Sequence, residues 1–238
     1  NSEVSCLNDN VSDDFDDLVL LNGLNVYENT EWKEEKVNSI LRKIPKDWIN
    51  KKLNDITNIL RDKRFALIYF IMFCMFFVFG GVLNILPFRV KDISDSANEF
   101  QISLLYLGYG MGILVSLSSK KIVDFFKNES NTMIISILFF LFLLIFLVTE
   151  NIVYLFVLLF LFCIGMFTVH TVSTGLANSM KSSQKSLTSG MYLTFYYIGG
   201  ASGSFFPSII YKYFGWDIMI YCFVFILLIV VIVTYRSE

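Results

Sequence analysis

The feature that most constrains this chain is a set of long stretches without a charged residue. Three of these stretches contain no Asp, Glu, Lys or Arg over more than 23 residues: Phe65 to Phe88, Asn151 to Met180 and Ser186 to Tyr211. A helix crosses a lipid bilayer with about 20 apolar residues. The three stretches are therefore predicted to be membrane-spanning helices.

Three shorter stretches extend the pattern. Residues 102–119, 132–149 and 218–235 are each uncharged over 18 residues, and spans of roughly 17 to 25 residues are typical. Hydrophobic residues make up 55% of the chain, which agrees with this assignment. We therefore predict an all-α membrane protein with six spans, at about 65–88, 102–119, 132–149, 152–178, 186–211 and 216–235.

The region before the first span has two parts. Residues 1–31 are acidic and rich in Asn, which predicts a mobile, solvated segment. Residues 32–64 carry apolar residues at near-helical spacing among many lysines, which predicts two amphipathic helices. Such helices either lie on a membrane surface or pack on the soluble face of the protein itself, and the sequence leaves both interpretations open.

The distribution of basic residues predicts the topology. Lys and Arg concentrate before the first span, in the second and fourth loops, and after the sixth span. Loops on the cytoplasmic side of a membrane carry an excess of Lys and Arg. Both termini are therefore predicted to be cytoplasmic, in a multi-pass protein of the cell membrane, either an inner or a plasma membrane.

The six spans differ in polarity. The third and sixth, 132–149 and 216–235, are almost wholly large and apolar, whereas the other four carry Gly, Ser, Thr, Asn, Tyr or His. Polar side chains are costly in lipid unless they face another helix or a watery cavity. The order of two spans with Gly or polar residues followed by one apolar span occurs twice along the chain. This order predicts a 3+3 repeat of the kind found in transporters.

Glycine pairs predict close packing between helices. Gly108 with Gly112, and Gly199 with Gly203, are each spaced four residues apart, which clears side chains from one stripe of a helix. Pro207 removes one backbone hydrogen bond and can kink its helix. We expect these five residues to serve packing or gating.

His170 is the only histidine of the chain, and no Asp, Glu, Lys or Arg lies as deep within a predicted span. An ionisable residue in such a place is a functional candidate, and imidazole titrates near physiological pH. The alternative is a neutral histidine hydrogen-bonded between helices. Asn84, Tyr196 and Tyr197 are further candidates for a pathway of substrate and protons, with Tyr192 as a lesser one.

A serine within a glycine-rich run raises the question of an enzyme. Gly200 to Gly203 spell GxSG, the pattern around the nucleophile of rhomboid-type intramembrane proteases. A serine nucleophile needs a general base within hydrogen-bond reach, which in those proteases is a histidine on a later span. No histidine follows Ser202, so no enzyme and no catalytic residue are predicted.

Other classes of site leave no signature. The four cysteines form no CxxC pair, so neither a disulfide framework nor a metal site is indicated. The chain contains no GxxxxGK[ST] loop for nucleotide phosphates. The formal net charge of -2 gives no indication of nucleic acid. No cofactor, metal or nucleic-acid partner is therefore predicted.

The run "GMFTVHTVSTGLANSMKSSQKSLTSGMYLTFYYIGGASGSFFPSIIYKYFGW", residues 165–216, resembles the tenth and eleventh helices of the major facilitator superfamily. The likeness is to its bacterial drug-efflux and arabinose-efflux-permease-like members, which have a histidine before a short basic loop and then a "YLxxYYxG" helix ending in "GW". It extends more weakly back to Phe65. The matching positions are His170, Tyr192, Leu193, Tyr196, Tyr197, Gly199, Gly215 and Trp216.

One loop departs from the family pattern. The loop after the eighth helix of the family usually resembles G-x-L-x-D-R-x-G-R, whereas this chain has "KKIVDFFKN". Asp124 is kept, but Phe125 stands at the arginine position and the glycines are missing. The resemblance therefore identifies Asp124 as the remnant of a gating loop.

The resemblance implies that the chain is the C-terminal six-helix half of a twelve-helix transporter, with residues 1–64 as its central cytoplasmic linker. The expected function is secondary-active transport of a small solute by alternating access, as proton-coupled efflux. The expected partners are the solute, protons, the lipid bilayer and an N-terminal six-helix half, from the same longer chain or a separate subunit. The alternatives are a non-transporting membrane subunit or a gene fragment and, less favoured because the base is missing, a rhomboid-like intramembrane serine protease.

Overall fold

The computed structural model describes residues 46–95, 97–181 and 184–236. The predicted acidic segment 1–31 and the first predicted amphipathic helix lie outside the described residues. Within the described ranges all regular structure is helical, including a 3₁₀ turn at Tyr106–Gly110. The helices are α1 Lys46–Arg61, α2 Lys63–Ile93, α3 Glu99–Leu105, α4 Met111–Phe125, α5 Glu129–Phe146, α6 Ile152–Met180 and α7 Lys185–Arg236.

The chain divides into two units, with the boundary between Thr57 and Asn58. Helix α1 begins at Lys46, directly after Pro45 in the sequence, and proline is common just before a helix or in its first turn. Ile49 and Leu53 of α1 are exposed, and their spacing of four places them on one face. The Nζ atom of Lys52 lies 5.4 Å from the centre of the Trp48 ring.

Among the described residues of the second unit, five helices are long and apolar enough to cross a membrane: α2, the α3–α4 stretch Glu99–Phe125, α5, α6 and α7. The last of these has 52 residues, far more than the roughly 20 that one crossing needs. It is interrupted at Gly215, whose φ of 80° and ψ of -178° are not helical. Only glycine adopts that conformation without strain, so α7 comprises two segments, residues 185–214 and 216–236.

Contacts with α2 show that the two segments of α7 run in opposite directions. Going up α2, the Tyr69 hydroxyl donates to the carbonyl of Thr188, and the Asn84 side chain donates to that of Ser204. The first segment is therefore parallel to α2. In the second segment the order is reversed, because Phe223 contacts Phe77 while the later residues Ile226 and Ile229 line a crevice with Phe70, Phe73 and Cys74. Six membrane-length segments result.

The residues that follow α5 accept hydrogen bonds from other helices. The span was predicted to reach residue 149, but the helix ends at Phe146. The last carbonyls of a helix have no partner within it, and here the carbonyls just beyond α5 accept from neighbours. Trp216 Nε1 donates to the Leu147 carbonyl over 2.7 Å, and the Arg89 guanidinium donates to that of Thr149 over 3.2 Å. These two hydrogen bonds tie α2, α5 and the turn of α7 together.

The helices differ in how far this chain covers them. Much of the middle of α2 is buried, whereas the α3–α4 stretch is the least buried of the five membrane-length helices. Tyr109 and Leu117 are exposed, as are the hydroxyl residues Ser116 and Ser118. The α3–α4 stretch therefore has a partly polar face that the other described residues do not cover.

Candidate functional site

Two glycines bring α2 and α7 into backbone contact. A Cβ atom added to Gly203 would lie 2.7 Å from the Cα atom of Phe77, and one added to Gly199 would lie 3.0 Å from the Cα atom of Phe73. In both cases the Cβ atom would lie still nearer to the carbonyl oxygen of the same α2 residue, closer than real Cβ atoms approach, so these positions accept no side chain. The GxxxG pair therefore lets the first segment of α7 lie directly against α2.

The other predicted glycine pair faces α6. A Cβ atom on Gly108 would lie 3.0 Å from the sulfur of Cys163, and one on Gly112 would lie 3.1 Å from the ring of Phe167. Gly108 belongs to the 3₁₀ turn and Gly112 to the start of α4. The absence of side chains on this stripe allows the α3–α4 stretch to pack closely on α6.

Pro207 and Asp124 lie apart from each other. Pro207 is buried within the helical part of α7, and its ring would contact a Cβ atom on Gly81. The break in α7 falls eight residues later, at Gly215. Asp124 is exposed near the end of α4, where it lines an open groove of about 410 Å³ together with Lys120, Glu129, Thr171 and Ser179.

His170 lies in a cluster of aromatic side chains between three helices. Its ring lies 5.5 Å from that of Phe76 on α2, in an edge-on arrangement, and 5.3 Å from that of Tyr196 on α7. Tyr197, which is exposed, places its ring edge-on to Tyr196 at 4.7 Å. The structure thus brings His170, Tyr196 and Tyr197 together. On α6 itself the cluster continues through Phe167, which contacts Phe79 and Tyr109.

One hydroxyl group contacts the imidazole directly. The Tyr192 hydroxyl lies 2.8 Å from Nδ1 of His170 and 3.1 Å from the carbonyl oxygen of the same residue. Tyr192 is buried and stands one helical turn before Tyr196 on the same face of α7. This hydrogen bond joins α6 to α7 at the level of the cluster.

Asn84 lies away from this cluster. It is eight residues beyond Phe76 on α2, or about 12 Å along a helix that rises 1.5 Å per residue. Its side-chain amide donates to the backbone carbonyl of Ser204 over 2.9 Å. Asn84 therefore attaches α7 to α2, and the structure does not bring it together with His170.

Some members of the cluster were not named from the sequence. Phe76, Phe79, Tyr109 and Phe167 lie on three different helices, and the chain has 25 Phe and 12 Tyr, so composition singles out none of them. Tyr192, by contrast, was named from the sequence as a candidate. It precedes Tyr196 by four residues, which places both side chains on the face that meets His170.

The Ser202 hydroxyl is engaged with its own helix. It donates to the backbone carbonyls of Ile198, over 2.6 Å, and Gly199, over 3.0 Å. Serine commonly bonds in this way to the preceding turn of a membrane helix. The contact gives this residue a structural part in α7 and is not the hydrogen bond to a base that a nucleophile needs.

Comparison with protein families decides the class of this chain. Residues 65–238 match the family described as Major Facilitator Superfamily. The chain belongs to this superfamily. Its six membrane-length segments and apolar composition agree with a multi-pass membrane protein, and the fold class and the superfamily predicted from the sequence are confirmed.

A solved transporter shows the same fold. The in meso crystal structure of the POT family transporter PepTSo superposes with a TM-score of 0.63 at 19% sequence identity, over 74% of this chain and 37% of that protein. The chain thus spans about 37% of the length of that transporter, as expected of half a major facilitator fold. No curated protein sequence matches the chain.

Proposed function

We propose that this superfamily member forms the C-terminal half of a secondary-active transporter that exports a small solute by alternating access in exchange for protons. The observation that carries the proposal is the position of His170, a titratable side chain within a membrane-length helix, hydrogen-bonded to Tyr192 and in ring contact with Tyr196. Such residues commonly serve proton relays and substrate pathways in membrane proteins.

The cluster around His170 also suits a solute. Tyr109 and Tyr197 are each about half exposed or more, at 48% and 65%, and present both a ring face and a hydroxyl group. Aromatic faces bind apolar and delocalised cationic groups. The cluster therefore offers a surface for an aromatic solute beside a group that can take up a proton.

A second six-helix half accounts for the uncovered face of α3 and α4. Ser116 and Ser118 are exposed there, and polar side chains are costly in lipid unless they face another helix or a watery cavity. Thr194, Tyr197 and Ala201 form a similar exposed row on α7. We propose that an N-terminal half, from the same longer chain or another subunit, covers both surfaces and completes the pathway. From the excess of Lys and Arg in alternate loops, we propose that both termini of this chain face the cytoplasm and that the protein lies in a cell membrane.

The proposal predicts solute-dependent proton movement. Proteoliposomes containing the complete transporter with a pH dye inside should be given aromatic probes, for example the cation ethidium and neutral aromatic dyes. We expect at least one probe to move against its gradient when a pH gradient is imposed, with a matching change of internal pH. Proteoliposomes that behave like protein-free vesicles with every probe would contradict the proposal.

A further inference from the structure

We propose that Tyr192 is a positioning residue for His170: it holds the neutral imidazole in the tautomer with hydrogen on Nε2, and it offers a second arrangement when the ring is protonated. The inference rests on the proposed function in so far as His170 carries a proton during transport. The geometry at the ring carries it independently of any solute.

In the neutral ring of His170 the two nitrogens have different hydrogen-bonding roles. A neutral imidazole has one nitrogen that donates and one that accepts. The Tyr192 hydroxyl has a single hydrogen and lies within hydrogen-bond distance of two acceptors, Nδ1 at 2.8 Å and the His170 carbonyl oxygen at 3.1 Å. Whichever acceptor receives this hydrogen decides whether Nδ1 can carry one of its own.

The two acceptors differ in how many donors they already have. The His170 carbonyl already accepts the Thr174 hydroxyl over 2.8 Å, and inside a helix it also accepts a backbone N–H from the following turn. A carbonyl oxygen has two lone pairs, so a third donor adds little. The free acceptor is Nδ1, which is also nearer. The Tyr192 hydroxyl therefore donates to Nδ1, and the ring hydrogen of the neutral state sits on Nε2.

Protonation of the His170 imidazole reverses the hydrogen bond between Nδ1 and the Tyr192 hydroxyl. The incoming proton binds the lone pair of Nδ1, Nε2 keeps its hydrogen, and Nδ1–H then donates to the Tyr192 oxygen. The hydroxyl hydrogen of Tyr192 turns to the His170 carbonyl, which lies within reach. Both charge states thus keep Nδ1 hydrogen-bonded. The other groups at the ring are Phe76 of α2, which is uncharged, and Tyr196 of α7, whose ring lies 5.3 Å away and is tilted by 39°.

The test reads the tautomer by nitrogen NMR. Protein labelled with ¹⁵N in the histidine ring is reconstituted in lipid at about pH 8, above the range in which imidazole ordinarily titrates. His170 is the only histidine of the chain, and the His170→Gln variant assigns its signals. We expect a single neutral species with hydrogen on Nε2. Hydrogen on Nδ1 in the wild-type protein would overturn the inference, whatever the behaviour of any variant.

A pair of variants separates the hydroxyl from the rest of the tyrosine. Tyr192→Phe removes the donor, so we expect signals of both tautomers. The matched change Tyr196→Phe removes a hydroxyl group from a ring that packs against the imidazole, and we expect this variant to keep a single species with hydrogen on Nε2. An unchanged spectrum in Tyr192→Phe contradicts the role of Tyr192. If the tautomers change but proton movement proves independent of His170, the coupling in the proposed function fails while the inference about Tyr192 stands.

Discussion

The substitution Gly203→Ala is expected to destabilise the protein strongly, because the added methyl group would enter the backbone of α2. The Cβ atom would lie 2.7 Å from the Cα atom of Phe77 and in contact with its carbonyl oxygen. Overpacking of a core typically costs about 1–3 kcal/mol. Here the opposing atoms belong to a helix backbone, which cannot move aside as a side chain can, so the upper end of that range is expected.

The measurement for Gly203→Ala is thermal stability in detergent, followed by size-exclusion chromatography. A loss at the upper end of that range lowers the melting temperature by about 5–10 °C for a domain of this size. The matched control is Gly200→Ala on the same turn of α7, where a Cβ atom would meet no other atom within 4 Å. Equal melting temperatures for the two variants would show that α2 and α7 do not approach as closely as described.

The substitution His170→Gln is expected to abolish the coupling between protons and solute while sparing the fold. Glutamine is close to histidine in size and keeps hydrogen-bonding capacity towards Tyr192, but it does not titrate between about pH 5 and 8 as imidazole does. Wild-type flux should therefore vary with pH in that window, and flux through the variant should be flat. Proton movement on addition of solute should fall to the level of protein-free vesicles.

The control for His170→Gln is Thr171→Ala, at the adjacent residue. Thr171 lines the open groove at the ends of α4 and α6. Among the described residues, no hydrogen bond or ring contact joins Thr171 to the aromatic cluster. It should keep the pH profile of the wild type. A His170→Gln protein that still moves protons with solute would remove His170 from the mechanism.

The helices could be predicted from the sequence because the cost of charge in lipid is a local property. A stretch such as residues 65–88 must be free of charge over its whole length, whatever its neighbours are, and α2 is found there. The end of α5 could not be predicted in the same way. Trp216 and Arg89, which come from distant parts of the chain, donate to the carbonyls of Leu147 and Thr149 just beyond it.

The candidate site was only partly predictable for the same reason. His170 stands out as the only histidine, and the spacing of Gly199 and Gly203 marks a close approach without saying to which helix. Which tyrosine meets the imidazole depends on the rotation of α7 against α6, and that rotation follows from packing. Asn84 has the polarity expected of a pathway residue, yet its amide is directed to the backbone of α7.

The central claim is alternating access, and the accessibility of Ala201 tests it most directly. Ala201 is exposed on the same face of α7 as Tyr197. Ala201→Cys, in a protein whose own cysteines are replaced, should be labelled with a membrane-impermeant thiol reagent from each side of the membrane in turn. We predict labelling from one side at a time, with the favoured side changing when solute or a pH gradient is applied. Labelling from only one side under every condition would contradict alternating access.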